Sequence, residues 1–112
     1  MSDLNESLAL SEELLAFITQ SPSMFHTTQT IKEYLLENGF TYLSEGSSWD
    51  VQPGGTYFTT RNNSSIVAWK VGEKYREPQT SSADAPYHFQ LAVAHGDSPT
   101  YKVKAQPELT GE

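Results

Sequence analysis

The residues best suited to chemistry lie toward the end of the chain, in the segment Ala94-His95-Gly96-Asp97-Ser98-Pro99. A histidine two positions before an aspartate, in extended backbone, can place both side chains on the same side. The carboxylate can then orient the imidazole or act at a metal that the imidazole binds. His-x-Asp is a common pattern, so by itself it indicates a candidate ligand and not a site.

The remaining histidines do not complete a metal site. We expect His26 to be a packing or loop-stabilising residue and His88 to be a partly exposed strand residue. His88 and His95 are seven positions apart. In a straight strand that is roughly 23 Å, with the side chains on opposite faces. A catalytic zinc takes three protein ligands, and a pair of metals takes more. After Asp97, the only further carboxylates are two glutamates in a Pro/Gly-containing tail. The sequence therefore offers one good ligand.

Other kinds of chemistry find less support. The chain has no cysteine, which excludes a disulfide framework, a cysteine-based zinc site and a thiol nucleophile. Gly54-Gly55 lacks the lysine and the spacing of a phosphate-binding loop. Ser98 lies near His95 and Asp97, but Gly-x-Ser-x-Gly is absent, which argues against a serine triad.

Length and charge narrow the class of protein. The 112 residues allow a single domain, with 14 acidic residues against 7 basic ones. A net charge of −7 argues against a nucleic-acid partner, which would require a basic surface. No apolar run approaches the ~20 residues that span a bilayer, and the acidic start does not resemble a signal peptide. We expect a soluble cytoplasmic protein with no membrane partner.

The acidic residues are concentrated in the first half of the chain. Residues 1–50 hold eight acids and one base, Lys32, whereas residues 51–112 hold six of each. The asymmetry indicates helices with acidic, solvated faces, or else a dedicated contact with a basic partner.

Two helices are predicted within the first fifty residues. An apolar stripe at helical spacing defines the first, which ends at Ser21-Pro22 because a residue before proline avoids the helical conformation. Ser11 is a candidate N-cap, and Thr27 or Thr28 a candidate cap for the second helix, which ends at Asn38-Gly39. The apolar positions are Leu4, Leu8, Leu10, Leu14, Phe17 and Ile18 in the first helix, and Ile31, Tyr34 and Leu35 in the second.

The rest of the chain is predicted to form strands. Residues 56–60 and 65–71 are β-branched and aromatic, and the turn residues 61–64 between them indicate a β-hairpin. Phe89, Leu91 and Val93 alternate with smaller or polar residues, which predicts a strand over 88–94 that delivers His95 at its end. A further short strand is predicted over 100–104, and a polar exposed loop over 73–86. Two helices followed by strands indicate an α+β fold or part of an α/β one.

Five motifs together resemble the aspartyl aminopeptidase family of metallopeptidases. The segment 21–26 is similar to the family's Ser-Pro-x-Pro-Phe-His, with Met24 at the second proline, and Asn38-Gly39-Phe40 is similar to its Ala-Gly-Phe. Residues 53–72 are similar to its hairpin, and residues 94–99 to its Ala-His-Thr/Ser-Asp-Ser-Pro motif, followed by Lys102-Val103-Lys104. Their order and spacing cover about residues 10–105.

The resemblance implies a cytosolic, homo-oligomeric exopeptidase that removes N-terminal, often acidic, residues from peptides with two divalent metals, typically zinc. It implies that His95 is a metal ligand and that Asp97 supports that histidine and the catalytic centre. The family's other ligands, its general-base glutamate and its oligomerisation domain have no counterpart within residues 1–112. We therefore expect this chain to be the N-terminal part of a catalytic domain, inactive alone. The alternative is a non-catalytic interaction protein that docks on full-length aminopeptidase subunits.

Overall fold

Two helices precede a small mixed sheet in the computed structural model, which describes residues 2–74, 88–101, 103–106 and 108. The elements, in chain order, are α1 (Ser2–Gln20), α2 (Met24–Glu37), β1 (Thr41–Tyr42), β2 (Thr56–Arg61) and β3 (Ser65–Lys70). The strand order is β1-β2-β3, with β1 parallel to β2 and β2 antiparallel to β3. The predicted α+β fold with two N-terminal helices and a hairpin is confirmed.

The first helix begins earlier than a cap at Ser11 would allow. α1 starts at Ser2, so Ser11 lies inside it and donates its hydroxyl hydrogen bond to the Ser7 carbonyl oxygen at 2.8 Å. The predicted cap was wrong because the apolar stripe already runs through Leu4 and Leu8. The end of α1 at Gln20, before Ser21-Pro22, is confirmed.

The second helix begins one turn before the predicted caps. Ser23 is its N-cap, with an extended backbone, and its hydroxyl accepts the backbone N–H of His26. Thr27 and Thr28 are instead buried within the helix, so the prediction of a cap at either position was wrong. Ser23 has an extended backbone directly before the helix, so its side chain is placed to cap, and the threonines are left for packing. The predicted end is confirmed, because Gly39 adopts a left-handed φ of +81°.

The β-hairpin has the predicted strands and a tight turn. The register pairs Thr56 with Lys70 and Arg61 with Ser65. Asn62 and Asn63 have φ of +52° and +50°, and the Ser64 N–H donates to the Arg61 carbonyl oxygen at 3.1 Å. Asparagine tolerates this left-handed conformation better than most residues, which explains why the turn forms here.

The two faces of the sheet are packed by different aromatic residues. Phe58, fully buried, contacts Tyr42 with 5.4 Å between ring centroids, and Lys32 of α2 lies 5.0 Å from the centre of the Tyr42 ring. On the opposite face, Trp69 contacts both Tyr57 (5.9 Å) and Trp49 (5.3 Å). The loop between β1 and β2 is therefore held to the sheet by Trp49.

The predicted strand over 88–94 is wrong. These residues belong to no strand, and Phe89, Leu91 and Val93 are 91%, 87% and 85% exposed. Alternation indicates which side chains share a face, but a strand also needs a hydrogen-bonding neighbour. Within the described residues, no strand forms over 100–104 either, where Lys102 lies outside the description. Most of the loop predicted over 73–86 also lies outside the described residues.

α1 leaves its apolar stripe open to solvent. It has no buried residue, and Leu4, Leu10 and Leu14 are 63%, 68% and 56% exposed. Phe17 is the half-buried position of this helix, which contacts α2. Neither helix in the described part of the chain is long and apolar enough to cross a membrane.

The first testable prediction concerns Gly55, where a Cβ would lie 2.3 Å from the hydroxyl oxygen of Tyr57. That hydroxyl accepts the backbone N–H of Gln52 at 2.9 Å, and the buried Tyr57 ring packs on Trp69, so the ring has little room to move. We expect Gly55→Ala to lower the free energy of unfolding by about 1–3 kcal/mol in urea denaturation. Gly46→Ala is the matched control, because its Cβ would meet nothing within 4 Å. Equal stability of the two variants would contradict this account of Gly55.

Candidate functional site

His95 and Asp97 form a local pair directly after residues 88–94, which belong to no helix or strand. The Nδ1 atom of His95 lies 2.7 Å from the Oδ1 atom of Asp97 and 3.0 Å from the Asp97 carbonyl oxygen. The histidine and aspartate side chains are 82% and 58% exposed. Gly96 between them has open space where a Cβ would stand, so the pair does not depend on a glycine there. The structure thus brings together the two residues that the spacing had placed on one side.

This arrangement suits a metal ligand held by a carboxylate. With Nδ1–H donated to Asp97, the free Nε2 lone pair points away from the carboxylate, which is the pattern of a histidine supported for metal binding. An imidazole nitrogen is a normal zinc donor. Across the described residues, no group of three or more histidine, cysteine, aspartate or glutamate side chains could hold an ion. The pair therefore fits a zinc site as one donor and its support.

The two other histidines, His26 and His88, have no part in this pair. His26 was expected in the loop between the helices but lies exposed in the first turn of α2, where its Nδ1 atom is 2.7 Å from the hydroxyl oxygen of the N-cap Ser23, so it stabilises the start of the helix. His88 is exposed, as expected, but it is not part of a strand.

A second polar feature was not predicted. Arg61, at the end of β2, contacts Glu45 in the preceding loop, with 2.8 Å between Nη2 and Oε1 and 3.0 Å between Nε and Oε1. The hydrogen bond to Glu45, and then its negative charge, raise the pKa of Arg61. The two residues border a shallow groove of about 220 Å³ that Thr59 and Val67 also line. They are 16 positions apart, so no local spacing could reveal the contact.

Comparison with known families decides the class of protein. The family model described as "Aminopeptidase I zinc metalloprotease (M18)" matches residues 17–112, which is most of the chain and includes both His95 and Asp97. The chain belongs to the M18 family. Its resemblance to aspartyl aminopeptidases is thereby confirmed at the level of the family.

Curated M18 relatives are similar over nearly the whole chain. A probable M18 family aminopeptidase 2 from Clostridium acetobutylicum is 36% identical, over 97% of this chain and 23% of its own length. An aspartyl aminopeptidase from Dictyostelium discoideum is 41% identical, over 90% of this chain and 19% of its own length. The chain thus spans about a fifth of the length of these curated relatives.

Solved M18 structures share the fold. A structure of Chaetomium thermophilum mApe1 is 41% identical with a TM-score of 0.59, covering 61% of this chain and 16% of that one. A chain in the cryo-EM structure of the Ape4 and Nbr1 complex is 42% identical with a TM-score of 0.56, covering 57% of this chain and 13% of that one. A chain of the Saccharomyces cerevisiae mApe1 dodecamer is 31% identical with a TM-score of 0.54, covering 60% of this chain and 16% of that one.

The second prediction concerns the tautomer of His95. Because Asp97 accepts from Nδ1, we expect neutral His95 to carry its proton on Nδ1, whereas free histidine favours Nε2. Long-range ¹H–¹⁵N correlation spectra above pH 8 measure this directly. Asp97→Ala should return His95 to the Nε2–H form, and His88 in the same segment is the internal control. A predominantly Nε2–H form of His95 in the unmodified chain would contradict the geometry.

Proposed function

We propose that residues 1–112 form the N-terminal part of the catalytic domain of a two-metal zinc aminopeptidase. The proposed substrate is a peptide from which the N-terminal residue is removed, acidic residues included. Family membership supports the zinc peptidase class, and relatives named aspartyl aminopeptidases support the acidic preference. The observation that carries the proposal is the His95–Asp97 contact of 2.7 Å within the family match.

In this proposal, His95 is the metal ligand of the chain and Asp97 is the carboxylate that serves it. Asp97 fixes the ring by accepting from Nδ1, so the Nε2 lone pair is presented in one orientation. A divalent metal, when bound, supplies Lewis-acid polarisation of the peptide carbonyl and activates water.

The proposal also explains why the 112-residue chain should be inactive alone. One imidazole and one supporting carboxylate do not close a coordination shell, and a two-metal site needs several further donors. The described residues contain no cluster of three or more His, Cys, Asp or Glu side chains that could supply them. Activity, a homo-oligomeric assembly and a cytoplasmic location are accordingly proposed for a longer protein of this family.

A second candidate function rests on a different observation. The exposed leucines of α1 form an uncovered apolar stripe, and residues 2–20 carry acids but no base. A chain with such a surface would suit a non-catalytic role in which it docks on full-length aminopeptidase subunits. Binding to a purified full-length relative, lost on Leu14→Asp, would support this alternative.

The third prediction tests the two roles in a full-length M18 relative. In the relative, the histidine that aligns with His95 is replaced by alanine (His95→Ala). We expect this variant to lose bound zinc and most of its hydrolysis of aspartyl amides. Asp97→Asn should lower activity by about 10–100-fold, since supporting residues of metal ligands have effects of that size. His88→Ala at its aligned position is the control, with activity close to that of the unmodified enzyme. Full activity of both site variants would refute the assigned roles.

The fourth prediction concerns the isolated chain. Supplied with zinc, manganese or cobalt, it should release no chromogenic leaving group from aspartyl or glutamyl amides above background, because its donor set is incomplete. Metal-dependent turnover that disappears in His95→Ala would overturn this expectation, since the missing donors would then have to come from this chain or its own oligomer.

A further inference from the structure

α2 ends in a cap made of two backbone hydrogen bonds. The Gly39 N–H donates to the Leu36 carbonyl oxygen at 3.1 Å, and the Phe40 N–H donates to the Leu35 carbonyl oxygen at 3.0 Å. The left-handed φ of +81° at Gly39 allows both bonds to form, as it commonly does where helices end. Because both bonds lie within residues 35–40, the cap forms from the local chain, whatever else the domain contains.

The cap also contains a reactive pair of residues, Asn38-Gly39. Asn38 is the only one of the four asparagines that precedes a glycine. The backbone nitrogen that follows an asparagine can attack the Cγ atom of its side chain. Glycine leaves that nitrogen unhindered, because it has no Cβ. The family motif that this segment resembles has alanine before the glycine, so the reactive pair is a departure from that motif.

The closed cap keeps the two reacting atoms apart. Attack forms a five-membered ring, which requires the Gly39 nitrogen on the same side of the Asn38 Cα–C bond as Cβ. At the observed ψ of 17°, that nitrogen is nearly eclipsed with the Asn38 backbone nitrogen and lies away from Cβ. The side-chain amide is also held, because its Nδ2 atom donates to the Tyr34 carbonyl oxygen at 2.8 Å. The reaction therefore requires the end of α2 to open first.

We propose that Asn38 is a site of deamidation and that the cap of α2 controls its rate. In the open state, the Gly39 nitrogen loses its proton to solvent and attacks Cγ. The N–Cγ bond forms, the Cγ–Nδ2 bond breaks, and Nδ2 leaves as ammonia with a proton from water. Water then opens the succinimide ring at either carbonyl, which gives aspartate or isoaspartate. The net reaction consumes water and releases ammonia, with no oxidation or reduction.

The product weakens the cap that had slowed its formation. It lacks the Nδ2 donor to Tyr34, and it places a carboxylate at the negative end of the helix dipole. The last turn of α2 has no basic residue to offset that charge, and the neighbouring Glu37 is also acidic. Isoaspartate, in addition, lengthens the backbone directly before Gly39. Transient opening of the helix end is thereby converted into a lasting loss of the cap.

Peptide mapping by mass spectrometry measures the reaction at position 38. The chain is incubated at mildly alkaline pH, either folded or in urea that unfolds it, and aspartate and isoaspartate are followed over time. We expect conversion to be at least about tenfold slower in the folded chain, since ring closure needs the open cap. Hydrogen exchange of the Gly39 and Phe40 amides in the same samples reports whether the cap is closed. The internal controls, which precede larger residues and should convert far more slowly in urea, are Asn5, Asn62 and Asn63.

Two substitutions separate the chemistry from the effect on the cap. Asn38→Ala removes the reacting amide, so position 38 should not convert. Asn38→Asp reproduces the charge of the product and should speed exchange of the Gly39 and Phe40 amides about two- to fivefold relative to Asn38→Ala.

Four results would each overturn the proposal. They are equal conversion of Asn38 in the folded and unfolded chains, no conversion in the unfolded chain, unprotected Gly39 and Phe40 amides in the chain without urea, and equal amide exchange in the two variants.

Discussion

The fold depends on β2, the strand that has neighbours on both sides. On one side of β2, the Phe58 carbonyl oxygen accepts the N–H of Leu43 at 2.8 Å, which attaches the segment after α2 to the sheet. On the other side, β2 pairs with β3 in the hairpin. The Phe58 side chain is fully buried, so one residue serves both the ladder and the core. Burying a phenylalanine contributes about 1.5–3 kcal/mol, a large share of the stability of a sheet with so little other buried apolar surface.

Features encoded over a few neighbouring residues could be predicted from the sequence. The hairpin follows from two β-branched runs around an Asn-Asn turn, and the end of α2 from Asn38-Gly39. The closeness of His95 and Asp97 belongs to the same group, because two side chains separated by one residue meet without help from the rest of the fold. The prediction of Ser11 as a cap failed because a local cap signal competed with a longer apolar stripe.

Features that depend on distant partners could not be predicted in the same way. β1 has two residues and exists because it pairs with β2, so no alternation marks it. The contact between Arg61 and Glu45 requires the loop after β1 to return over the sheet, where Trp49 stacks on Trp69. The segment 88–94 shows the opposite case: its alternation is clear, but the pattern carries no information about which neighbour would complete the ladder.

The locality of the His95–Asp97 contact has a consequence for how a metal centre assembles. Closing a loop of many residues costs conformational entropy that rises with loop length, whereas this contact closes across a single intervening glycine. The orientation of the imidazole is therefore nearly independent of tertiary folding. In a longer M18 protein, most of the conformational entropy lost in forming the metal centre would come from ordering the more distant donors. The His95 imidazole would already be oriented before those donors are in place.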